Sequence, residues 1–293
     1  MSKLYPVGVQ NFEKVILGGY EYVDKTALIY QLFNTGSYYF LSRPRRFGKS
    51  LLLSTLEAYA QGKKELFKGL ALEKLEKDWT VYPVLHLDLN TQKYDTPESL
   101  TNVLEENVQN WEALYGASSS EIGVARRFQG IIRRACEQTG RRVVILIDEY
   151  DKPMLQAIGN EALQNEYRST LKAFYGALKS MDGCIRFALL TGVTKFGKVS
   201  VFSDLNNLRD ISMIDQYAEI CGISEKEIYT YFEEDIHELA VATDMSYKEA
   251  CAELKTNYDG YHFTENAIGM YNPFSLLNTF ANRRFGSYWF ETG

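Results

Sequence analysis

The sequence predicts an α/β protein built on a largely parallel sheet. Three observations predict it. Short apolar segments of strand length alternate with longer amphipathic segments of helical length. The run 143–147 is apolar at every position, as a strand covered on both faces is. A Gly-Lys-Ser triplet, Gly48 to Ser50, falls between one such strand and one such helix.

In chain order, 37–42 (Ser-Tyr-Tyr-Phe-Leu-Ser) is an aromatic and apolar strand, followed by the loop 43–50 and a helix over 51–60. A second strand spans 84–89, and helical stretches follow over 97–115 and 121–138, the latter closed by Thr139-Gly140. The strand at 143–147 precedes a helix over 160–179, set off by Gly159 and Gly183. A fourth strand spans 185–190, and 217–221 is the candidate fifth. At Ser224 a Glu three residues later forms a capping box, so a helix starts there. From that point the pattern is helical, with no further strand expected. The predicted organisation is a core over 1–222 and a helical lid or appendage over 223–293.

Composition narrows the function. With 45% hydrophobic and 24% charged residues in 293, the chain buries a core without a disulfide or metal staple. The net charge of −6 does not point to bulk nucleic-acid binding, which favours basic chains. Arg126, Arg127, Arg133 and Arg134 recur at a spacing of seven, with Arg141 and Arg142 beyond. They read first as a solvated face or subunit contact, and second as a phosphate-contacting stripe. Cys136, Cys184, Cys221 and Cys251 form no CxxC pair and have no His at ligand spacing, so reduced thiols are expected rather than zinc. The N-terminus has no apolar leader core, and the strongest apolar run is far too short to span a bilayer. A cytoplasmic protein without membrane contact is expected.

The chemistry is concentrated in Arg43-Pro44-Arg45-Arg46-Phe47-Gly48-Lys49-Ser50-Leu51. Between a strand and a helix this is a phosphate-binding loop: backbone N–H groups surround an anion, and Gly48 lets the backbone approach. Lys49 reaches the outer phosphates, and Ser50 ligates magnesium. Arg43 stands where the usual pattern has its first glycine, so the loop entrance is built differently, with Pro44 fixing the turn in its place. Arg45 and Arg46 add positive charge. The apolar strand ending in Asp148-Glu149 supplies the complement: Asp148 as metal ligand, Glu149 as the base for an attacking water. The strand tip Leu189-Leu190-Thr191-Gly192 offers Thr191 as a γ-phosphate sensor, with Thr194 as the alternate. Arg209 is a candidate finger residue, in cis or from a neighbouring subunit, or an ordinary loop Arg. Tyr22 and Asp24 are candidate adenine-side contacts; Asp24 is equally a helix start. ATP and Mg2+ are therefore the expected ligands, and hydrolysis is favoured over a small-molecule kinase by Glu149. A nucleotide-binding regulatory module with negligible turnover is the alternative.

On these residues the chain resembles the bacterial AAA-ATPase-like proteins whose full chains usually continue into a PD-(D/E)XK nuclease-like domain. The matching stretches are Tyr22-Val-Asp-Lys25, Phe40 to Leu51, Ile147-Asp-Glu-Tyr-Asp-Lys-Pro153, Leu190-Thr-Gly-Val-Thr194, Tyr258-Asp-Gly-Tyr-His-Phe263 and Tyr271-Asn-Pro-Phe-Ser-Leu276. The resemblance implies a three-layer αβα core with strand order 5-1-4-3-2, followed by a helical lid. It makes the Arg-Pro-Arg-Arg opening a family trait. It also implies a chain cut short before a nuclease-like domain, since Tyr288 to Gly293 resembles the middle of a longer protein. A nuclease-like partner domain and a homo-oligomer are the partners it leaves open.

Overall fold

A computed structural model describes residues 3–195, 201–202, 207–264 and 269–288. Residues 289–293, part of the segment expected to continue, lie outside them. Five strands form one parallel sheet: β1 (Tyr38–Ser42), β2 (Val84–Asp88), β3 (Val143–Asp148), β4 (Ile185–Gly192) and β5 (Arg209–Asp210). Their order is β2-β3-β4-β1-β5, the same as 5-1-4-3-2 read from the other edge.

The sheet is buried on both faces because its strands are apolar at successive positions. Val143, Ile145 and Ile147 point into one core with Tyr38, Phe40 and Leu190. Val144 and Leu146 point into the other with Tyr39, Leu41, Phe187 and Leu189. This is the period-2 alternation of a strand, carried by two apolar faces. Each fully buried aliphatic side chain contributes about 1.5–3 kcal/mol.

The first face is covered by α5 (Pro97–Tyr115), α6 (Val124–Thr139) and α8 (Glu161–Ser180). Phe128 of α6 stacks on Phe174 of α8 at 4.4 Å. The second face is covered by α1 (Phe12–Leu17), α2 (Thr26–Thr35) and α3 (Lys49–Ala60), with the short α4 (Ala71–Leu75) against α2. Among the described residues, α7 (Lys152–Gln156) follows β3.

Two expectations are corrected. The fifth strand is Arg209–Asp210, paired with Tyr39 and Phe40, while Asp215–Tyr217 is a 3-10 turn and 218–221 is not strand. The true strand is two charged residues at a sheet edge and carries no apolar run. Strand structure also recurs after Ser224: β6 (Ile223–Ser224) pairs antiparallel with β7 (Met270–Tyr271). This two-residue ladder is too short to leave a periodic signal.

The capping box at Ser224 is present, with Glu227 reaching back to the Ser224 amide at 2.8 Å. It opens α9 (Glu225–Tyr231), followed by α10 (Glu233–Ala242), α11 (Tyr247–Tyr258) and α12 (Pro273–Asn282). These close a third apolar cluster around Phe232, Ile236, Leu254 and Phe280. Tyr5, Val7 and Val23 of the N-terminal segment pack against it, so both ends of the chain meet there. Lys25 also pairs with Glu227 of α9 at 2.6 Å.

Candidate functional site

The phosphate loop leaves β1 at Ser42 and enters α3 at Lys49. Gly48 has φ +90°, in the left-handed region that L side chains avoid, and nothing lies within 4 Å of where a Cβ would stand. The requirement for glycine here is conformational. Arg46 also has positive φ (65°), so two residues of the loop take left-handed backbone.

Lys49 is buried, and its ammonium donates to the carbonyls of Arg43 (3.2 Å) and Pro44 (3.3 Å). It pairs with Glu149 Oε1 at 3.1 Å. Ser50 Oγ donates to Asp148 Oδ2 at 2.5 Å, and Thr191 Oγ1 donates to Asp148 Oδ1 at 2.6 Å. The carboxyl ends of β1, β3 and β4 thus bring Lys49, Ser50, Asp148, Glu149 and Thr191 together.

Glu149 is a non-glycine residue at φ +54°. Such strain persists only where neighbours hold it. The Glu149 amide donates to Asp148 Oδ1 (3.0 Å), and the Tyr150 amide to the Thr191 carbonyl (2.9 Å). Tyr150 is buried edge-on against Phe40, and its hydroxyl donates to the Thr194 carbonyl. Asp151, fully buried, accepts from the amides of Val193 and Thr194 and from the Thr194 hydroxyl. Gly192 has no room for a side chain, because a Cβ would stand 2.5 Å from the Tyr150 ring. The exits of β3 and β4 are therefore clasped. Burial lifts the Glu149 carboxyl above the ordinary glutamate value; Lys49 opposes the lift and Asp148 adds to it.

Two spaces adjoin the loop. One is a cleft of about 440 Å³ whose lining includes Arg45, Arg46, Lys49, Ser50, Glu149 and Lys152. The other is a narrow apolar cavity of about 90 Å³ lined by Tyr22, Val23, Phe47, Leu52, Ile220 and Phe232 among others. Pro6, Gly48, Leu51, Pro273 and Leu277 line both, so the spaces are neighbours.

Several expected site residues are placed differently. The Arg43 guanidinium is buried beneath the loop and donates to the carbonyls of Ser42, Ser212 and Tyr217, with the Phe263 ring 3.9 Å away. It builds the loop entrance and does not line the cleft, because its two terminal nitrogens donate to carbonyls beneath the loop. Pro44 does not line the cleft either, and Phe47 is fully buried towards the apolar cavity. Asp24 accepts from the amide and hydroxyl of Thr26 and from the Ala71 amide, and so fixes the starts of α2 and α4. Tyr22 does line the apolar cavity. Thr191 and Thr194 spend their hydroxyls on Asp148 and Asp151, and neither lines the cleft. Arg209 sits beside Tyr39, near the amino end of β1 and away from the loop. Arg127 pairs with Glu105 and Glu112, while Arg133 and Arg134 pair with Glu121, so much of the arginine stripe is neutralised within the chain. The four cysteines are free.

Sequence reasoning missed Asn90, Lys152, Gln156 and the segment 6–10, all of which line the cleft. Lys152 had a usable signal, three residues after Glu149. The others are brought in only by the fold.

A parallel sheet in this order, with a glycine-lysine-serine loop after β1 and an acidic pair ending β3, defines a P-loop nucleoside triphosphatase fold. The chain belongs to the AAA-ATPase-like family, described as predicted AAA-ATPase, whose model matches residues 6–202. It is 40% identical over 293 residues to an uncharacterized protein in the vnfD 5' region of Azotobacter chroococcum mcd 1, an alignment covering 99% of this chain and 54% of that protein. The chain thus spans about half the length of that relative. No solved structure matches the chain. Among the described residues no helix is long and apolar enough to cross a membrane.

Proposed function

We propose that the chain binds ATP with magnesium and hydrolyses it to ADP and phosphate. The observation that carries this reading is the convergence of Lys49, Ser50, Asp148 and Glu149 at the carboxyl ends of β1 and β3, which flank β4, beside a cationic cleft. The triphosphate would lie along the loop amides, with its base towards the apolar cavity. Lys49 would exchange Glu149 for the outer phosphates, which frees the carboxylate to face water.

In the reaction, a water oxygen forms a bond to the γ-phosphorus as the bond to the β–γ bridging oxygen breaks. That electron pair leaves with ADP, and Glu149 takes the water's proton. Magnesium, when bound, supplies positive charge to the β- and γ-phosphate oxygens. Ser50 and Asp148 would hold it. Their oxygens already adjoin at 2.5 Å, and an all-oxygen donor set suits this hard cation. Among the described residues no three acid, His or Cys side chains converge. The remaining ligands would therefore be phosphate and water, the usual habit of magnesium. Thr191 orients Asp148 in this scheme rather than reading the γ-phosphate.

We further read the helical part from Ile223 onward as a lid whose packing follows the nucleotide and controls an attached or partner effector, such as a nuclease-like domain. Arg46 lies over the Phe274 ring at 4.1 Å, and Phe47 packs edge-on against Tyr261 at 4.6 Å. These contacts support the reading, because they join the phosphate loop to that part directly. The Lys49–Glu149 ion pair favours a second reading, a regulatory nucleotide sensor with negligible turnover, since it occupies the base.

The test is a MgATP binding titration with turnover, on wild type, Lys49→Ala and Glu149→Gln. Lys49→Ala loses binding by about tenfold or more. Glu149→Gln keeps binding and loses turnover by about 10²–10⁴-fold. Unchanged turnover in Glu149→Gln removes the base assignment, and binding without turnover in wild type selects the sensor reading.

A further inference from the structure

Hydrolysis of a triphosphate needs positive charge at the γ-phosphoryl oxygens as the leaving bond breaks, often supplied by an arginine from another subunit. The cleft carries cations of its own. Its lining includes Arg45, Arg46, Lys49 and Lys152 against one acid, Glu149. Arg45 and Arg46 belong to the phosphate loop itself, on the β1 side. Lys152 stands on the other side of β3. It opens α7, and its amide donates to the Glu149 carbonyl at 3.0 Å, so it is one turn from the base.

The Lys152 ammonium donates to the Asn90 carbonyl (3.2 Å) and to Asn90 Oδ1. Both acceptors are uncharged, and the carboxylate that feels the ammonium's charge is Asp88, with no direct ion pair to it among the described residues. Asn90 follows β2 and is fixed in turn by its amide on Asp88 Oδ1 at 2.7 Å. The result is an ammonium held by Asn90 at a cleft that the phosphate loop also lines. Arg209, beside Tyr39, is not brought to this space.

We propose that Lys152, positioned by Asn90, is a catalytic cation that contacts the γ-phosphoryl oxygens, so that each chain hydrolyses its own triphosphate without a partner's arginine. The proposal rests on the ATPase reading above. Lys152 keeps its proton throughout and donates hydrogen bonds. The water's proton goes to Glu149 and the electron pair to ADP, as before. The contact strengthens as charge builds on the transferred group, and so acts on the transition state more than on bound ATP.

The experiment compares wild type, Lys152→Gln and Lys152→Arg. Lys152→Gln loses turnover by about 10²–10³-fold, as removal of a transition-state donor does. Its KM changes by less than about threefold, because ground-state binding is largely kept. Affinity for MgADP with aluminium fluoride falls, while affinity for MgADP alone is retained, which also shows that the variant folds. Lys152→Arg recovers much of the turnover, and wild-type rate per chain is independent of chain concentration. Wild-type turnover in Lys152→Gln overturns the assignment, as does equal loss of MgADP and MgADP–aluminium fluoride affinity, or a rate per chain that rises with concentration. If Glu149→Gln is inactive and Lys152→Gln is not, only this assignment fails. If wild type turns over no ATP, the ATPase reading fails and this inference fails with it.

Discussion

At the scale of single residues, Glu149, the base of the proposed hydrolysis, holds the least comfortable position. It sits at positive φ, it is paired with Lys49, and burial lifts its carboxyl above the ordinary glutamate value. A protonated Glu149 cannot accept the water's proton. The acid limb of kcat/KM therefore lies above the value of an unperturbed glutamate, and Glu149→Gln removes it. A pH–rate profile checks this, and a limb at or below that value counts against Glu149 as the base. The same shift fixes the sign for stability. Its folded-state value is raised, so the group favours the folded chain at low pH, and that contribution is lost as pH rises through the folded value. The residues legible in the sequence are those whose partners are close in the chain, such as Gly48-Lys49-Ser50 and Asp148-Glu149. Asn90 and the segment 6–10 were not legible, because their neighbours at the cleft come from distant segments.

At the scale of elements, the loop entrance shows how a substitution in a motif is absorbed by the fold. Where the usual pattern has glycine, Arg43 is almost fully buried, and its guanidinium ties β1 to the segment after β5 through the Ser212 and Tyr217 carbonyls. No carboxylate reaches it as an ion pair among the described residues, so carbonyls and the Phe263 ring carry the cation. Arg43→Met leaves those carbonyls unsatisfied and lowers stability by about 3 kcal/mol. Urea unfolding measures it, and a loss below about 0.5 kcal/mol would mean that water replaces the guanidinium. The long helices α3, α5, α6 and α8 and the four long strands were legible from their length, apolar content and boundary residues, whereas α1, α4 and α7, of five or six residues each, were not. For β5 the position in the sheet was predicted but the residues were not: Arg209-Asp210 lies beside Tyr39 and Phe40, and just after it the Ile211 amide donates to the Phe40 carbonyl (2.9 Å) and Ser212 Oγ accepts from the Ser42 amide (2.8 Å). Pairing of this kind leaves no pattern in hydrophobicity.

At the scale of the whole molecule, the question is whether the helical part senses the nucleotide. The physical path is short. Gly222 donates its amide to the Phe47 carbonyl at 3.1 Å, just before β6 begins. Phe47 meets the rings of Tyr261 and Phe263, and Phe263 covers the Arg43 guanidinium. On the proposed reading, a change in the loop on binding triphosphate presses on the start of the helical part at Gly222 and on its middle at Tyr261 and Phe263. Coupling between two sites is reciprocal, so its loss must appear twice. In wild type, MgATP should slow amide exchange over 225–258. In Phe263→Ala that protection should shrink by about fivefold or more, and nucleotide affinity should change by the matching factor. Hydrogen exchange with and without MgATP, together with a binding titration, measures both sides. Exchange in wild type that ignores nucleotide would leave the helical part a passive wall of the site. Protection that persists in Phe263→Ala would move the path to the Arg46–Phe274 contact.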